Sequence, residues 1–252
     1  DSAELTFNYN QLFRDTRFSG RDRLDDANRV SVGLTTRFLD EGTGVERFNA
    51  SIGQIFYLTN RRVRLRASDP ELDQASSEVA GELNFYPNER VSVRSNLQYD
   101  PSTGKMNAGN LIASYTEDDS TVVNVGYTFR RPVALVGNQP VTDQVNLSTY
   151  YPINNNWRFF MAWNYSLEAN SSVEDMIGIE YDSCCWQLRL LHLRYFDTAN
   201  DRIPDFDNPS LDREFATQIQ FVFKGLGGFG GGVEQLLSDL IPGFNRLAYV
   251  SR

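Results

Sequence analysis

TVVNVGYTFR, at residues 121–130, alternates apolar and polar side chains along its length. In an extended chain successive side chains point to opposite faces, so this period of two is typical of a β-strand with two unlike faces. One face carries Val123, Val125, Tyr127 and Phe129, and the other carries Asn124, Gly126, Thr128 and Arg130. The stretch therefore predicts a strand that separates an apolar from a polar environment.

The same alternation recurs about a dozen times along the chain of 252 residues. It predicts strands at residues 3–12, 28–39, 45–58, 78–86, 90–100, 105–116, 120–130, 142–151, 157–168, 173–182, 186–196 and 212–224. Most of them exceed the average of about 5–6 residues for soluble proteins and match the roughly 9–11 residues of a tilted membrane-spanning strand. Strand length therefore favours an all-β, antiparallel transmembrane β-barrel over a soluble β-sandwich binding module, which remains an alternative.

The connections between these strands alternate in length along the chain. The short set is 40–44, 87–89, 117–119, 152–156 and 183–185. The other set contains every long loop: 13–27, 59–77, 101–104, 131–141, 169–171 and 197–211. Barrels of the bacterial outer membrane have short periplasmic turns and longer extracellular loops. We therefore expect an outer-membrane location, with the short set in the periplasm and the long set outside the cell.

The two faces of the predicted strands differ as a membrane barrel requires. Charged residues such as Arg37, Arg94 and Glu180 stand at strand centres on the polar face, which indicates a hydrated lumen. Aromatic residues lie near strand ends on the apolar face, as at membrane–water interfaces. The formal net charge of −9 argues against a nucleic-acid partner.

A glycine-rich tail at residues 226–252 is predicted to follow the barrel portion at residues 1–225. Gly225, Gly227 and Gly230 fit the spacing of a dinucleotide-binding loop, but no second parallel strand or suitably placed acidic residue follows, so a flexible linker is the preferred interpretation. The segment VEQLLSDLI at 233–241 has the apolar spacing of a helix. We expect the tail to be periplasmic or folded into the barrel mouth.

No catalytic residue, metal site or cofactor site is predicted, so the chain is not expected to be an enzyme. His192, the single histidine, lies within a predicted strand and lacks a recognisable serine elbow. The His and Cys spacing does not match a zinc site. The loop at 197–212 carries Asp197, Asp201, Asp205, Asp207 and Asp212. It either shares divalent cations at the cell surface or is merely solvated, since it lacks an EF-hand pattern.

Cys184 and Cys185 are the two cysteines, and they are adjacent. Adjacent residues rarely satisfy ordinary disulfide geometry with each other. Two alternatives follow: each pairs with a cysteine outside this chain, or both are inert thiols.

Three stretches resemble one protein family. They are QLFRDTRFSGRDRLDDANRV at 11–30, VERFNASIGQIFYL at 45–58 and the adjacent Cys184 and Cys185, and the tail IPGF at 241–244 fits as well. Together they resemble the LptD family of lipopolysaccharide-assembly proteins, also called Imp or OstA. The resemblance implies a barrel of roughly 26 strands preceded by a periplasmic β-jellyroll domain. With about twelve strands, this chain is expected to be the C-terminal half of such a barrel.

The resemblance also implies partners and site residues. Cys184 and Cys185 would form long-range disulfides to cysteines near the N-terminus of the whole protein. The lipoprotein LptE would plug the lumen, and lipopolysaccharide would arrive along a periplasmic LptA bridge through the N-terminal domain. It would reach the membrane lipids through a lateral gate between the first and last strands. The last strand, 212–224, would present Phe215, Thr217, Ile219, Phe221 and Phe223.

Glycines directly after Lys224 are not expected to extend the strand ladder firmly, so we predict a last strand that is loosely held at its periplasmic end. A self-contained barrel of about twelve strands, acting as a pore or a phospholipase, is the alternative. It differs in one respect: its first and last strands, near 5–12 and 213–223, would be paired with each other.

Overall fold

The computed structural model describes residues 5, 7–20, 24–26, 28–64, 72–117, 121–131, 141–196, 213–225, 227–229 and 232–244. The strands among them are β1 (Arg29–Leu39), β2 (Glu46–Tyr57), β3 (Val79–Phe85), β4 (Val91–Asp100), β5 (Lys105–Glu117), β6 (Thr121–Arg130), β7 (Thr142–Pro152), β8 (Trp157–Ser166), β9 (Ser171–Asp182), β10 (Trp186–Phe196), β11 (Arg213–Phe223) and β12 (Gly227–Phe229). A 3₁₀ helix, Tyr9–Phe13, precedes β1, and the helix α1 (Val233–Leu240) follows β12.

The strands lie in the sheet in the order of the sequence, from β1 to β12. The pairs β1–β2, β2–β3, β3–β4 and those from β7 to β12 are antiparallel. β1 and β12 stand at the two ends of this order, so the sheet that the described residues form is open. The all-β antiparallel fold predicted from the alternation is confirmed, and β1 to β11 match eleven predicted strands closely in position.

The predicted strand at 3–12 is wrong over its described residues. Asn8 caps the 3₁₀ helix, because its side-chain oxygen accepts a hydrogen bond from the backbone N–H of Gln11 at 3.2 Å. The N–H of Leu5 donates to the carbonyl of Arg17 at 2.9 Å, so this segment doubles back on itself instead of joining the sheet. An Asn side chain that satisfies a helix N-terminus competes with strand pairing, and alternation alone does not reveal it.

The chain divides into two compact units: unit 1 is Asp1–Asn88, Val93–Leu111 and Phe129–Thr142, and unit 2 is Glu89–Ser92, Ile112–Thr128 and Asp143–Arg252. In each unit a terminal segment covers one face of the strands, here named the inner face. The opposite face is the outer face.

In unit 1 the segment around the 3₁₀ helix covers the inner face of β1 and β2. Leu12 is buried there, and its carbonyl accepts a hydrogen bond from the Ser31 hydroxyl at 2.5 Å. Gly33 and Gly53 are cross-strand partners beneath it. A Cβ at Gly53 would lie 2.6 Å from the Leu12 side chain, so the absence of a side chain makes this close approach possible.

In unit 2 the helix α1 and the residues after it cover the inner face of the later strands. The buried residues Val233 and Leu237 of α1, and Ile241 and Phe244 after it, pack into an apolar cluster. The sheet contributes Val122, Tyr150, Phe160, Ala162, Met176, Leu191 and Leu193 to the same cluster. Apolar burial of this kind is the main stabilising contribution to such packing. The helix expected from the spacing at 233–241 is present, and it lies against the sheet.

The outer faces carry the exposed apolar side chains. Leu34 in unit 1 is 71% exposed and Ile219 in unit 2 is 62% exposed, whereas the charged Glu180 on the inner face of unit 2 is 0% exposed. Exposed apolar residues on the outer faces are typical of a membrane-spanning barrel wall. The inner face of unit 2 combines buried, paired charges with the apolar cluster beneath α1.

Candidate functional site

β11 carries the five predicted gate residues on one face. Phe215, Thr217, Ile219, Phe221 and Phe223 alternate along the strand on its outer face, and Phe215 is 66% exposed. On one side β11 is paired with β10 over its whole length, from Trp186 opposite Phe223 to Phe196 opposite Arg213. The sequence therefore placed these residues correctly on one strand face, while their role as a gate stays a prediction.

The other edge of β11 is covered only at its C-terminal end. β12 pairs Gly227, Gly228 and Phe229 with Phe223, Val222 and Phe221. Within the described residues, Glu214–Gln220 have no strand partner on that edge. The glycines therefore add a short strand to the edge of β11, while the prediction that they hold it only weakly stays a prediction. Glycine adopts extended backbone as readily as other conformations, and a three-residue strand needs no side-chain pattern.

An aromatic band crosses the outer face of unit 2 near the short connections. Trp157 contacts Tyr181 with ring centroids 4.9 Å apart, and Tyr181 contacts Trp186 at 5.1 Å. Trp186 stacks on Phe221 at 5.6 Å, so the band runs from β8 to β11. Aromatic girdles of this kind occur where a barrel wall meets the membrane–water interface.

A charged network lies on the inner face behind this band. The Glu180 carboxylate accepts hydrogen bonds from Arg189 Nε at 2.6 Å and from Arg158 Nη1 at 2.9 Å. Arg158 Nη1 also donates to Asp182 at 2.8 Å, and Lys224 Nζ lies 2.5 Å from the other Asp182 oxygen. Glu180, Asp182 and Arg189 are buried. The network therefore links β8, β9, β10 and Lys224, the residue after β11, while a loosely held end of β11 stays a prediction.

The tail closes over this network. Arg189 Nη1 donates to the Gln220 side chain at 2.8 Å, and its guanidinium carbon lies 5.7 Å from the centre of the Phe244 ring. The Asn124 side chain donates to the Pro242 carbonyl at 3.0 Å. The sequence singled out Glu180 as a strand-centre charge but not its partners. A signal was available, because a hairpin turn at 183–185 places Arg189 opposite Glu180.

Cys184 and Cys185 lie in the connection between β9 and β10, and both are free and exposed. Their sulfur atoms are 2.6 Å apart. A hydrogen bond from Cys185, together with one from the Ser183 hydroxyl, lowers the pKa of the Cys184 thiol, whereas the hydrogen bond and charge of Cys184 raise the pKa of Cys185. The Lys224 backbone N–H donates to the Cys185 carbonyl at 3.0 Å, which joins this turn to the end of β11. Both thiols are accessible to partners outside this chain.

Residues of the 11–30 signature hold the connection that follows β2. Asp25 pairs with Arg17 at 2.6 Å and with Arg29 at 3.5 Å. The Asp26 carboxylate accepts backbone N–H bonds from Arg62 at 2.5 Å and from Val63 at 3.3 Å. Burial raises the pKa of Asp26, but these backbone hydrogen bonds outweigh it and the pKa is lowered overall. The signature therefore has a local structural role in unit 1.

The remaining predicted features do not form a catalytic or metal site where the structure describes them. His192 Nδ1 shares a hydrogen bond with the Thr217 hydroxyl at 3.1 Å on the outer face. Within the described ranges, no group of three His, Cys, Asp or Glu side chains is arranged to hold a metal ion. The Asp-rich stretch 197–212 lies outside the described residues. In the part of the chain that the structure covers, no helix has the length and apolar character needed to cross a membrane.

Comparison with known proteins gives one consistent result. The family model that matches residues 1–157 is described as LptD: LPS transport system D. A Saccharophagus degradans protein named LPS-assembly protein LptD is 36% identical over 251 residues, covering 97% of this chain and 29% of that protein. Proteins of the same name from Nitrosococcus oceani and Pseudomonas aeruginosa are 35% and 33% identical, each over 98% of this chain. The chain spans 29–31% of the length of these relatives.

Proposed function

The chain belongs to the LptD family, and from that premise we propose that it forms the C-terminal part of an outer-membrane β-barrel that assembles lipopolysaccharide into the outer leaflet. The observation that carries the proposal is the exposed apolar outer face of the long strands, with buried charges among the groups on the inner face of unit 2. Such strands match a wall between lipid and a polar interior. The short connections, including Cys184 and Cys185, would face the periplasm.

The proposed function is transport, in which lipopolysaccharide moves and no covalent bond is made or broken. Lipopolysaccharide would arrive through an N-terminal domain connected to an LptA bridge, and LptE would occupy the lumen. Cys184 and Cys185 would pair with cysteines elsewhere in the whole protein. Their exposure at a turn in an oxidising compartment supports this role.

We assign β11 to one side of the lateral gate. The edge at Glu214–Gln220, which no described strand pairs, supports this assignment, because each unpaired backbone group in a bilayer costs roughly several kcal/mol. A strand from the remainder of the protein would satisfy them. β12 already occupies the edge at Phe221–Phe223, so the gate strand would pair with at most the preceding part of β11. A shorter ladder is easier to open, since fewer hydrogen bonds must break.

A pair of crosslinks in the full-length protein tests the gate. One crosslink joins a cysteine introduced at Thr217 to a cysteine on the first strand of the full-length barrel, which lies outside this chain. This crosslink should stop the appearance of new lipopolysaccharide at the cell surface. The matched control joins Val222→Cys to Gly228→Cys, which are cross-strand partners in β11 and β12. This control crosslink should form and leave transport unchanged. Normal transport through a closed Thr217 crosslink would refute the gate assignment.

A self-contained barrel of about twelve strands stays an alternative, but no observation favours it. A soluble β-sandwich would need its exposed apolar outer faces to be buried.

A further inference from the structure

The outer face of unit 2 carries a groove of about 580 Å³ beside the proposed gate strand. Among the residues that line it are Met161, Asp175, Ile177, His192, Arg194 and Phe215. Most of the outer face is apolar, so the ionic and polar side chains in this groove need an explanation.

The charged part of the groove is an ion pair between β9 and β10. Arg194 donates to Asp175 Oδ2 through Nε at 2.6 Å and also through Nη2. The Ser172 hydroxyl donates to the other Asp175 oxygen. Both bonds from Arg194 go to one oxygen, and no hydrogen bond joins Nη1 to any residue that the structure describes. The guanidinium therefore has donor capacity left for an anion.

A second polar group lies next to the pair, on the side of β11. His192 shares its Nδ1 hydrogen bond with Thr217, and its ring stacks on Phe215 with centroids 6.0 Å apart. Met161 on β8 and Ile177 on β9 continue the cross-strand row of His192 and Thr217. This row is therefore apolar on the side of β8 and polar on the side of β11, so a ligand that fits it has both an apolar and a charged part.

The position of the groove along the strands fits an interfacial depth. Arg194 follows Trp186 of the aromatic band by eight residues on β10. At about 3.4 Å per residue and a tilt of roughly 40°, this separates them by about 20 Å along the membrane normal. The apolar band of such a barrel is about 25 Å tall, so Arg194 lies near its opposite boundary. With the orientation proposed above, that boundary is the outer leaflet.

We propose that this groove binds the phosphorylated lipid anchor of lipopolysaccharide in the outer leaflet, directly beside the gate. The phosphate is bound by Arg194 and the hydrogen-bonding pair His192–Thr217, and one acyl chain lies along Met161 and Ile177. The proposal rests on the proposed function and adds a first binding site after exit. Arginine is suited to this task because its planar fork donates to phosphate oxygens in a fixed geometry.

Site-specific photocrosslinking in cells tests the proposal. Ile177→p-benzoylphenylalanine in the full-length protein should give an adduct with lipopolysaccharide. Val125→p-benzoylphenylalanine is the matched control, because Val125 is 51% exposed and Ile177 is 53% exposed on outer-face positions. Arg194→Gln should lower the Ile177 adduct about tenfold, as expected for the loss of one charge-assisted hydrogen bond. Arg194→Lys should retain part of it, and Asp175→Asn should not lower it.

Binding to purified full-length protein in nanodiscs separates the possible ligands. The probes are bisphosphorylated lipid A, the same lipid without phosphates, and phosphatidylglycerol, each captured at Ile177. Preferential capture of the bisphosphorylated lipid supports the proposal. Equal capture of phosphatidylglycerol, equal adducts at Ile177 and Val125, or an adduct unaffected by Arg194→Gln in folded protein would overturn it. If surface lipopolysaccharide still depends on the whole protein in those cases, the groove proposal fails while the proposed function stands.

Discussion

Replacing Glu180 with Gln should lower the stability of unit 2 strongly. The substitution removes the fully buried carboxylate that balances the charge of the buried Arg189. Glu180 accepts hydrogen bonds from both Arg158 and Arg189. After the substitution Arg158 still pairs with Asp182, whereas the partners of Arg189 among the described residues are all uncharged: the new amide oxygen, the Gln220 oxygen and the Phe244 ring. One arginine is therefore left without a charged partner.

The free energy of unfolding should fall by about 3 kcal/mol, the lower end of the range for breaking a buried ion pair by removing one partner. This corresponds to roughly a hundredfold change in the unfolding equilibrium. The control is Glu46→Gln, since Glu46 lies 3.6 Å from Arg37 with side chains that are 34% and 65% exposed. An exposed pair of this kind contributes about 0–1 kcal/mol.

The assay is urea unfolding of the full-length protein in detergent micelles. Unfolding is monitored on cold gel electrophoresis as the loss of the compact form. Glu180→Gln should shift the midpoint clearly and Glu46→Gln should not. Adding Arg189→Met to Glu180→Gln should recover much of the loss, because the uncompensated charge is then removed. A Glu180→Gln midpoint equal to that of Glu46→Gln, or a double variant that loses the sum of both single effects, would refute the reasoning.

Two further predictions concern the turn at 183–185 and unit 1. In reduced protein at neutral pH, Cys184 should be alkylated faster than Cys185, because its lowered pKa gives it the larger thiolate fraction. Ser183→Ala should slow the alkylation of Cys184, because it removes one of the hydrogen bonds that lower this pKa. Peptide mass spectrometry at short reaction times checks this, and equal rates would contradict it. Gly53→Ala should cost about 1–3 kcal/mol through overlap with Leu12. Gly109→Ala, whose added carbon meets its nearest neighbour at 3.9 Å, should cost less in the same urea assay.

Much of the fold was predictable because the alternation of side chains has the same period as the strand itself. In β6 and β11 the apolar positions fall on one face over the whole strand, so both the element and its exposed face follow from the sequence. The alternation does not reveal the 3₁₀ helix after Asn8, because a capping side chain changes the backbone without changing the apolar pattern. It also does not predict the strand at Gly227–Phe229, because two of its three residues are glycines without a side chain.

The candidate site was predictable only as far as single strands allow. Phe215 to Phe223 were assigned to one face because they belong to one strand. The network around Glu180 needs the register between strands, and the cover over Arg189 needs the path of the tail from β11 to Phe244. Those depend on contacts between residues that are distant in the sequence, which periodicity does not contain.

The pairing of Glu180 with Arg189 also bears on how the wall is assembled in time. The two residues are nine positions apart, on either side of one tight turn. Closing so short a loop has a small entropic cost, and hairpins form within about microseconds. The opposite charges can therefore neutralise each other within a single hairpin, before β11 and the tail arrive. A hairpin whose Glu180 and Arg189 side chains are already paired enters a membrane more readily than one in which the two charges are separate.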